Sequence, residues 1–309
     1  MTAPSFPLDV IHCADARHMD AIPDEAVHLV VTSPPYNVGK PYDGHNDSLP
    51  LDEYLEMLNQ VWLECYRVLV PGGRLCINVA NTDRKPYMPL NALITAELLR
   101  MNQERGTKWL MRGEIIWDKG ASVGVSTAWG SFGRSSDPVL RDVHEYIMVF
   151  SKERFRLPSG RETGITGGEF VSWTRSIWRP EDNLPQLVAR FREKIADARR
   201  RGKDDRWLAE SLARAALQHF TRPSEAVWEM TTESTVDHPA PFPVELPRRL
   251  ILLYTAPGDV VLDPFMGSGS TAIAAVLTGR HYVGYEISAE YCALARRRLE
   301  GMTQSEAKR

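Results

Sequence analysis

Two short stretches of this chain hold residue types that could do chemistry together. The first is Thr32-Ser33-Pro34-Pro35-Tyr36-Asn37, which follows the apolar run Val27-His28-Leu29-Val30-Val31. Proline has no N–H to donate and holds the residue before it in extended conformations. The stretch therefore reads as a stiff exit from a strand that presents acceptors, a hydroxyl and carbonyls, beside an aromatic ring. A plain strand-to-loop turn with a core tyrosine would need no ligand. The second stretch is "GDVVLDPFMGSGSTAIAAVLTGRHYVGYEIS", which reads as strand, glycine turn, helix and strand. Val260, Val261 and Leu262 form a buried strand ending at Asp263, and Gly267 and Gly269 let the backbone turn tightly and approach a ligand. Glu286 closes the next strand, where an acidic residue suits the two hydroxyls of a ribose. A phosphate-binding loop wants Lys before its Ser or Thr, and the nicotinamide fingerprint wants a third glycine; "GSGSTA" supplies neither. The pattern points to a ribose-bearing cofactor with no phosphate to cradle.

The elements that must position these residues follow an alternating order. "VHLVVTS" and "GGRLCINVA" read as strands, as do "RGEIIWDK" and "HEYIMVFS". Between the first two, Leu51, Tyr54, Leu55, Leu58, Val61, Trp62, Cys65 and Leu69 recur at helical spacing. This βαβ rhythm predicts a mostly parallel sheet with helices on its faces. The rhythm breaks between residues 151 and 222, where Pro, Gly and Trp punctuate the chain before two helical stretches, "LPQLVARFREKIADARRR" and "DRWLAESLARAALQHF". The chain thus divides into 1–150, 151–222 and 223–309.

Composition narrows the class. The 309 residues carry 37 Lys and Arg against 40 Asp and Glu, a net charge of -3. The average conceals a basic segment, since Ser151 to Arg222 holds 16 Lys and Arg against 10 Asp and Glu, the pattern of phosphate contact. Cys13, Cys65, Cys76 and Cys292 form no CxxC pair, which argues against a disulfide framework or a zinc knuckle. His45, Asp43 and Asp47 lie close together with nothing else to make a metal site, so no metal is expected. The start "MTAPSFPLDV" lacks the marks of a signal peptide, and no apolar run is long enough for a bilayer; a cytoplasmic, reducing location is expected.

Together the two motifs resemble the exocyclic-amino DNA methyltransferases, "TSPPYN" the catalytic motif and "LDPFMGSGST" the cofactor motif. The order here, catalytic motif, variable segment, cofactor loop, is similar to the beta-type arrangement of that family. The resemblance extends to "PGGRLCINVAN", "RGEIIWDKG", "RDVHEYIMVFSK" and "HPAPFPVELPRRLI". It implies an α/β, Rossmann-like, mostly parallel sheet in a circularly permuted methyltransferase core. Residues 1–150 would be its catalytic part, 151–222 an inserted target-recognition segment, and 223–309 its cofactor-binding part. It implies methyl transfer from S-adenosylmethionine to an amino nitrogen of a base in double-stranded DNA, in a prokaryotic nucleoid. A cognate restriction endonuclease and a homodimer are admitted as further partners.

An aromatic amine is a poor nucleophile because its lone pair is delocalised into the ring. Hydrogen bonds from that amine to the Ser33 side chain and the Pro34 carbonyl would draw the nitrogen towards tetrahedral geometry, with Pro34 and Pro35 keeping the acceptors rigid. Tyr36 would stack on a base flipped out of the duplex. Ser before the two prolines resembles the N4-cytosine enzymes, whereas Asp is commoner in N6-adenine enzymes, so cytosine N4 is the first expectation and adenine N6 the alternative. Carbon-5 methylation would need a Cys nucleophile after Pro, and no cysteine here follows one. RNA and protein-glutamine methyltransferases resemble an Asn-Pro-Pro-Tyr version with the cofactor loop first, which this order argues against; a DNA-binding protein without catalysis is the remaining rival. The resemblance assigns the cofactor to Asp263, Phe265, Gly267, Ser268, Gly269, Thr271 and Glu286, with Asp15 near the adenine amine and Pro243 and Glu245 at the far end of the pocket. DNA phosphates fall to Arg134, Arg175, Arg179, Arg190, Arg199, Arg200 and Arg201, with Trp173 or Trp178 against bases or sugars, and "VGKPYDGHND" as a lid.

Overall fold

The computed structural model describes residues 6–39, 48–82, 86–119, 135–138, 140, 142–157, 160–179, 200 and 242–306. Eight strands form one sheet: β1 (Val10–Cys13), β2 (Val27–Thr32), β3 (Leu69–Val79), β4 (Trp109–Asp118), β5 (His144–Lys152), β6 (Ile177–Trp178), β7 (Val260–Asp263) and β8 (His281–Glu286). Their order across the sheet is β1-β8-β7-β2-β3-β5-β4-β6. The described helices are α1 (Leu51–Val68), α2 (Leu90–Glu104), α3 (Gly167–Trp173), α4 (Glu245–Tyr254), α5 (Ser270–Leu277) and α6 (Ala289–Glu306). Among the described residues no helix is long and apolar enough to cross a membrane.

Alternation along the strands sends side chains to two cores. On one face Leu75, Ile77, Val79, Met148, Phe150 and Leu262 pack with Tyr54, Leu58, Trp62 and Cys65 of α1 and Ile94 and Leu98 of α2. On the other, Cys76, Ile147, Val149 and Val261 pack with Leu246 and Leu250 of α4, Ala272 and Ala275 of α5 and Cys292 and Ala295 of α6. In β2 the alternation slips by one, because the register shifts between Val27 and Leu29; Val27 and Val30 reach the first core and Leu29 and Val31 the second.

The expected helices on both faces are present, and the expected parallel pairing holds for β1, β8, β7, β2 and β3. The βαβ rhythm does not extend to β4 and β5, which pair antiparallel with each other, while β5 pairs antiparallel with β3. Reversal brings the start of β5 to the same edge as the ends of β2 and β3. Beside β2 lies β7; from β7 the chain proceeds through α5 to β8 on one side, and from β2 through α1 to β3 on the other. The crevice above the two is therefore a topological switch point, where α/β sheets bind ligands.

The division at residue 151 needs correction. Strand β5 runs to Lys152, and residues 160–178 return to the sheet as α3 and as β6, which pairs parallel with β4. Arg161 pairs with Asp259, and Arg280 donates to the Thr163 carbonyl at 3.0 Å, fastening this stretch to β7 and its neighbours. The two helical stretches predicted after residue 183 lie almost wholly outside the described residues.

Candidate active site

The two motifs meet where β2 and β7 end. Thr32 Oγ1 donates to Asp263 Oδ1 at 2.7 Å, Thr271 Oγ1 donates to Asp263 Oδ2 at 2.7 Å, and the Phe265 N–H donates to Oδ1 at 3.0 Å. Asp263 is fully buried, and burial pushes its carboxyl up to about 6 against the opposing pull of those three donors. The structure thus places Asp263 and Thr271 behind the glycine turn, clasped to each other and to β2.

Glu286, at the end of β8, lies on the other side of the same turn. Its Oε2 accepts from the Gly267 N–H at 2.8 Å and its Oε1 from the Ser288 N–H at 2.9 Å. Desolvation raises its pKa above the ordinary carboxylate value. Each carboxylate oxygen has a second lone pair, so two acceptors remain for a diol. Gly269 precedes α5 with φ +86°, and a Cβ there would meet the Cβ of Ala295 at 2.9 Å; this backbone and this packing admit glycine. Ser268 is buried, and its hydroxyl accepts from Arg298 at 2.9 Å. The Phe265 ring is half-buried and meets Trp62 of α1 edge-on, with centroids 6.3 Å apart. Beyond β1, which neighbours β8 through Cys13 and Glu286, Asp15 is half-buried and already pairs with Arg17, whose hydrogen bonds hold its carboxyl below the usual range. Glu245 pairs with Arg248 and Arg249 of its own helix.

Across the crevice the catalytic stretch is held at three points. Pro34 is buried, and the Tyr54 hydroxyl of α1 donates to the Pro35 carbonyl at 2.7 Å. Asn37, with φ +57°, exchanges two 2.8 Å hydrogen bonds with the backbone of Leu49. That exchange closes the loop whose residues 40–47, most of the expected lid, lie outside the described residues. Third, the Tyr36 hydroxyl lies 3.0 Å from Ser33 Oγ and 3.2 Å from Glu145 Oε2. Glu145 at the start of β5 also accepts from Asn78 Nδ2 at 2.6 Å and pairs with Lys119.

Glu145, Asn78 and Lys119 are site residues that the motif reading missed. Each lies inside a stretch carrying the family resemblance, yet one sequence gives no sign that three strands bring them to Tyr36. Cys65, Cys76 and Cys292 are buried thiols whose pKa is raised by burial, Cys76 and Cys292 up to about 12, which suits no nucleophile.

Among the predicted DNA contacts, Arg175 and Arg179 are exposed on either side of β6, and Arg179 follows the end of β6 at the edge that carries Lys119. Arg200 is exposed; Arg134, Arg190, Arg199 and Arg201 lie outside the described residues. Trp173 and Trp178 are not available to bases. Both are buried, Trp178 Nε1 donates to the Trp173 carbonyl at 3.0 Å, and the Arg249 guanidinium lies 5.8 Å and 5.4 Å from their rings. Their large apolar area is spent on the core.

Comparison with known proteins agrees with this geometry. The model of the N6/N4 methyltransferase family, described as DNA methylase, matches residues 27–297. Type II methyltransferase M.MjaI of Methanocaldococcus jannaschii is 30% identical, covering 88% of this chain and 85% of its own length. DNA adenine methyltransferase YhdJ of Escherichia coli K12 is 26% identical over 94% of this chain and 82% of its own length. The DNA modification methylase TTHA0409 of Thermus thermophilus, solved in complex with S-adenosyl-L-methionine, superposes with a TM-score of 0.59 at 28% identity, covering 93% of both chains. PvuII DNA methyltransferase, cytosine-N4-specific, shares the fold with a TM-score of 0.59 at 19% identity, over 94% of this chain and 86% of its own.

Proposed function

This chain belongs to the DNA methylase family, and we propose that within it the chain methylates the N4 amine of cytosine at a specific site in duplex DNA. The observation that carries the reading is the meeting of the rigid Ser33 acceptor and the Glu286 glycine turn across one crevice, braced by the Thr32–Asp263 bond.

The residues present fit S-adenosylmethionine: two spare acceptors on Glu286 for a ribose, a glycine turn without Cβ atoms to obstruct it, and the half-buried Phe265 ring above α1. When bound, that cofactor supplies an electrophilic methyl on a sulfonium. Glu286 orients the nucleoside part, and Phe265 with the Gly267–Thr271 turn holds the methionine part. Ser33 Oγ and the Pro34 carbonyl accept from the amine of the flipped base and bring out its lone pair. The Tyr36 ring, tethered by its hydroxyl, stacks on that base.

Serine at position 33 supports cytosine. The similarity to an E. coli enzyme named for adenine supports N6 of adenine as the second reading. Arg175, Arg179 and Arg200, with the basic residues up to 222, would meet DNA phosphates. The type II name of the M.MjaI relative supports a companion restriction endonuclease, and with it a place at the nucleoid of a prokaryotic cell; a homodimer is compatible with the reading. Transfer of labelled methyl from S-adenosylmethionine to duplex DNA, with the nucleosides resolved by mass spectrometry, tests all of this. N4-methylcytosine is expected. N6-methyladenine overturns the choice of base, and no label on DNA, despite cofactor binding, overturns the substrate.

A further inference from the structure

We propose that Glu145 is a positioning residue that works through Tyr36 to make the Ser33 hydroxyl an acceptor-only group toward the amine of the target base. The inference rests on the amino-methyl transfer proposed above and adds the residue that sets the polarity of its acceptor.

A serine hydroxyl ordinarily rotates between donating and accepting, whereas a carboxylate only accepts. Glu145 is 7% exposed, with Oε1 paired to the Lys119 ammonium and Oε2 facing Asn78 Nδ2 at 2.6 Å and the Tyr36 hydroxyl at 3.2 Å. Because Oε2 has no proton to give, Tyr36 must direct its single hydroxyl proton at Glu145. Asn78 Nδ2 also donates to the Tyr36 oxygen at 3.3 Å. That oxygen can then only accept from Ser33, 3.0 Å away. Ser33 thereby commits its proton inward, and its lone pairs remain for the substrate. Asn78 carries the mark of the same constraint: both contacts fall on Nδ2, while its buried Oδ1 has no hydrogen-bond partner among the described residues. The amide faces the carboxylate with its donor side at the expense of its acceptor.

Glutamine at position 145 would keep the shape and reverse the order. Its oxygen would stay with Lys119 and its amide would donate to Tyr36, which would then donate to Ser33, turning the serine proton outward against the amine. The test uses the full chain with its methylated site mapped, comparing wild type, E145Q, Y36F, the double variant and E145D. Two quantities are read: kcat with cofactor Kd, and the ratio of affinities, without cofactor, for the target duplex and for the same duplex with the amine replaced by a carbonyl (uracil for cytosine, hypoxanthine for adenine).

E145Q is expected to lower kcat by about 100-fold, within the usual range for a proton-positioning group, with cofactor Kd unchanged and the amine-over-carbonyl ratio falling about 10-fold, the size of one hydrogen bond. In the Y36F background E145Q should change neither quantity further. E145D, which still only accepts, should keep the ratio and serves if E145Q does not fold. An unchanged ratio in E145Q, or an equal loss with and without Tyr36, overturns the proposal. Absence of DNA methylation by the wild type overturns instead the function on which it stands.

Discussion

Thr32 and Asp263, 231 positions apart in the chain, share a 2.7 Å hydrogen bond between buried side chains. One is the last residue of β2 and the other the last of β7. The bond fixes the distance between the acceptor that handles the base and the turn that handles the cofactor. Thr32→Val keeps the shape and the strand propensity while removing one donor from a buried carboxylate. A loss of about 1–3 kcal/mol in unfolding free energy is expected, with kcat falling more than cofactor affinity; thermal melts and calorimetric titration check both.

Asp263 gives the pH dependence of stability a definite sign. Its folded-state pKa is raised by burial from 3.8 to about 6. The folded protein therefore binds that proton more tightly, so the stabilisation is complete below the unfolded value and is lost as pH rises through about 6. Asp263→Asn removes the penalty, because the amide can donate to Thr271 Oγ1 while that hydroxyl turns to the Val31 carbonyl, 3.4 Å away. Relative to wild type, D263N should gain on the order of 3 kcal/mol between about pH 4 and pH 8, at 1.36 kcal/mol per unit. Chemical denaturation across that range measures it; parallel curves would show that Asp263 is not the titrating group.

Glu286 should impose the opposite trend on cofactor binding. Its ionised form is the one with only acceptors, and desolvation raises its pKa. Affinity for S-adenosylmethionine is thus expected to weaken as pH falls, beginning above the ordinary carboxylate value of 4.5. Glu286→Gln should raise Kd by about 10- to 100-fold, the size of a charged hydrogen bond, and flatten the pH profile seen by isothermal titration.

Trp178 separates core from DNA contact. Fully buried against Trp173 and Arg249, it should cost about 3–5 kcal/mol on replacement by alanine, with the DNA affinity of the folded fraction unchanged. A selective loss of DNA binding in a stably folded W178A would return the residue to the interface.

Local pattern made much of this protein legible. Apolar runs ending in Pro-Pro or in a glycine turn identify β2, β7 and β8 to within a residue, and helical spacing identifies α1, because strand, turn and helix signals lie within a few residues of each other. The two motifs and their order were legible for the same reason. Strand direction was not: β4 and β5 run antiparallel because of the partners they find across the sheet, which no window of the sequence contains. The tryptophans of α3 and β6 carry the same composition in a core as on a DNA-binding face, and only packing against Arg249 decides between them. The residue types at positions 33, 36, 263 and 286 came from the sequence alone. The clasp of Thr32 on Asp263 and the line from Glu145 through Tyr36 to Ser33 came from the tertiary structure, because a hydrogen bond depends on distance and direction in space and not on separation along the chain.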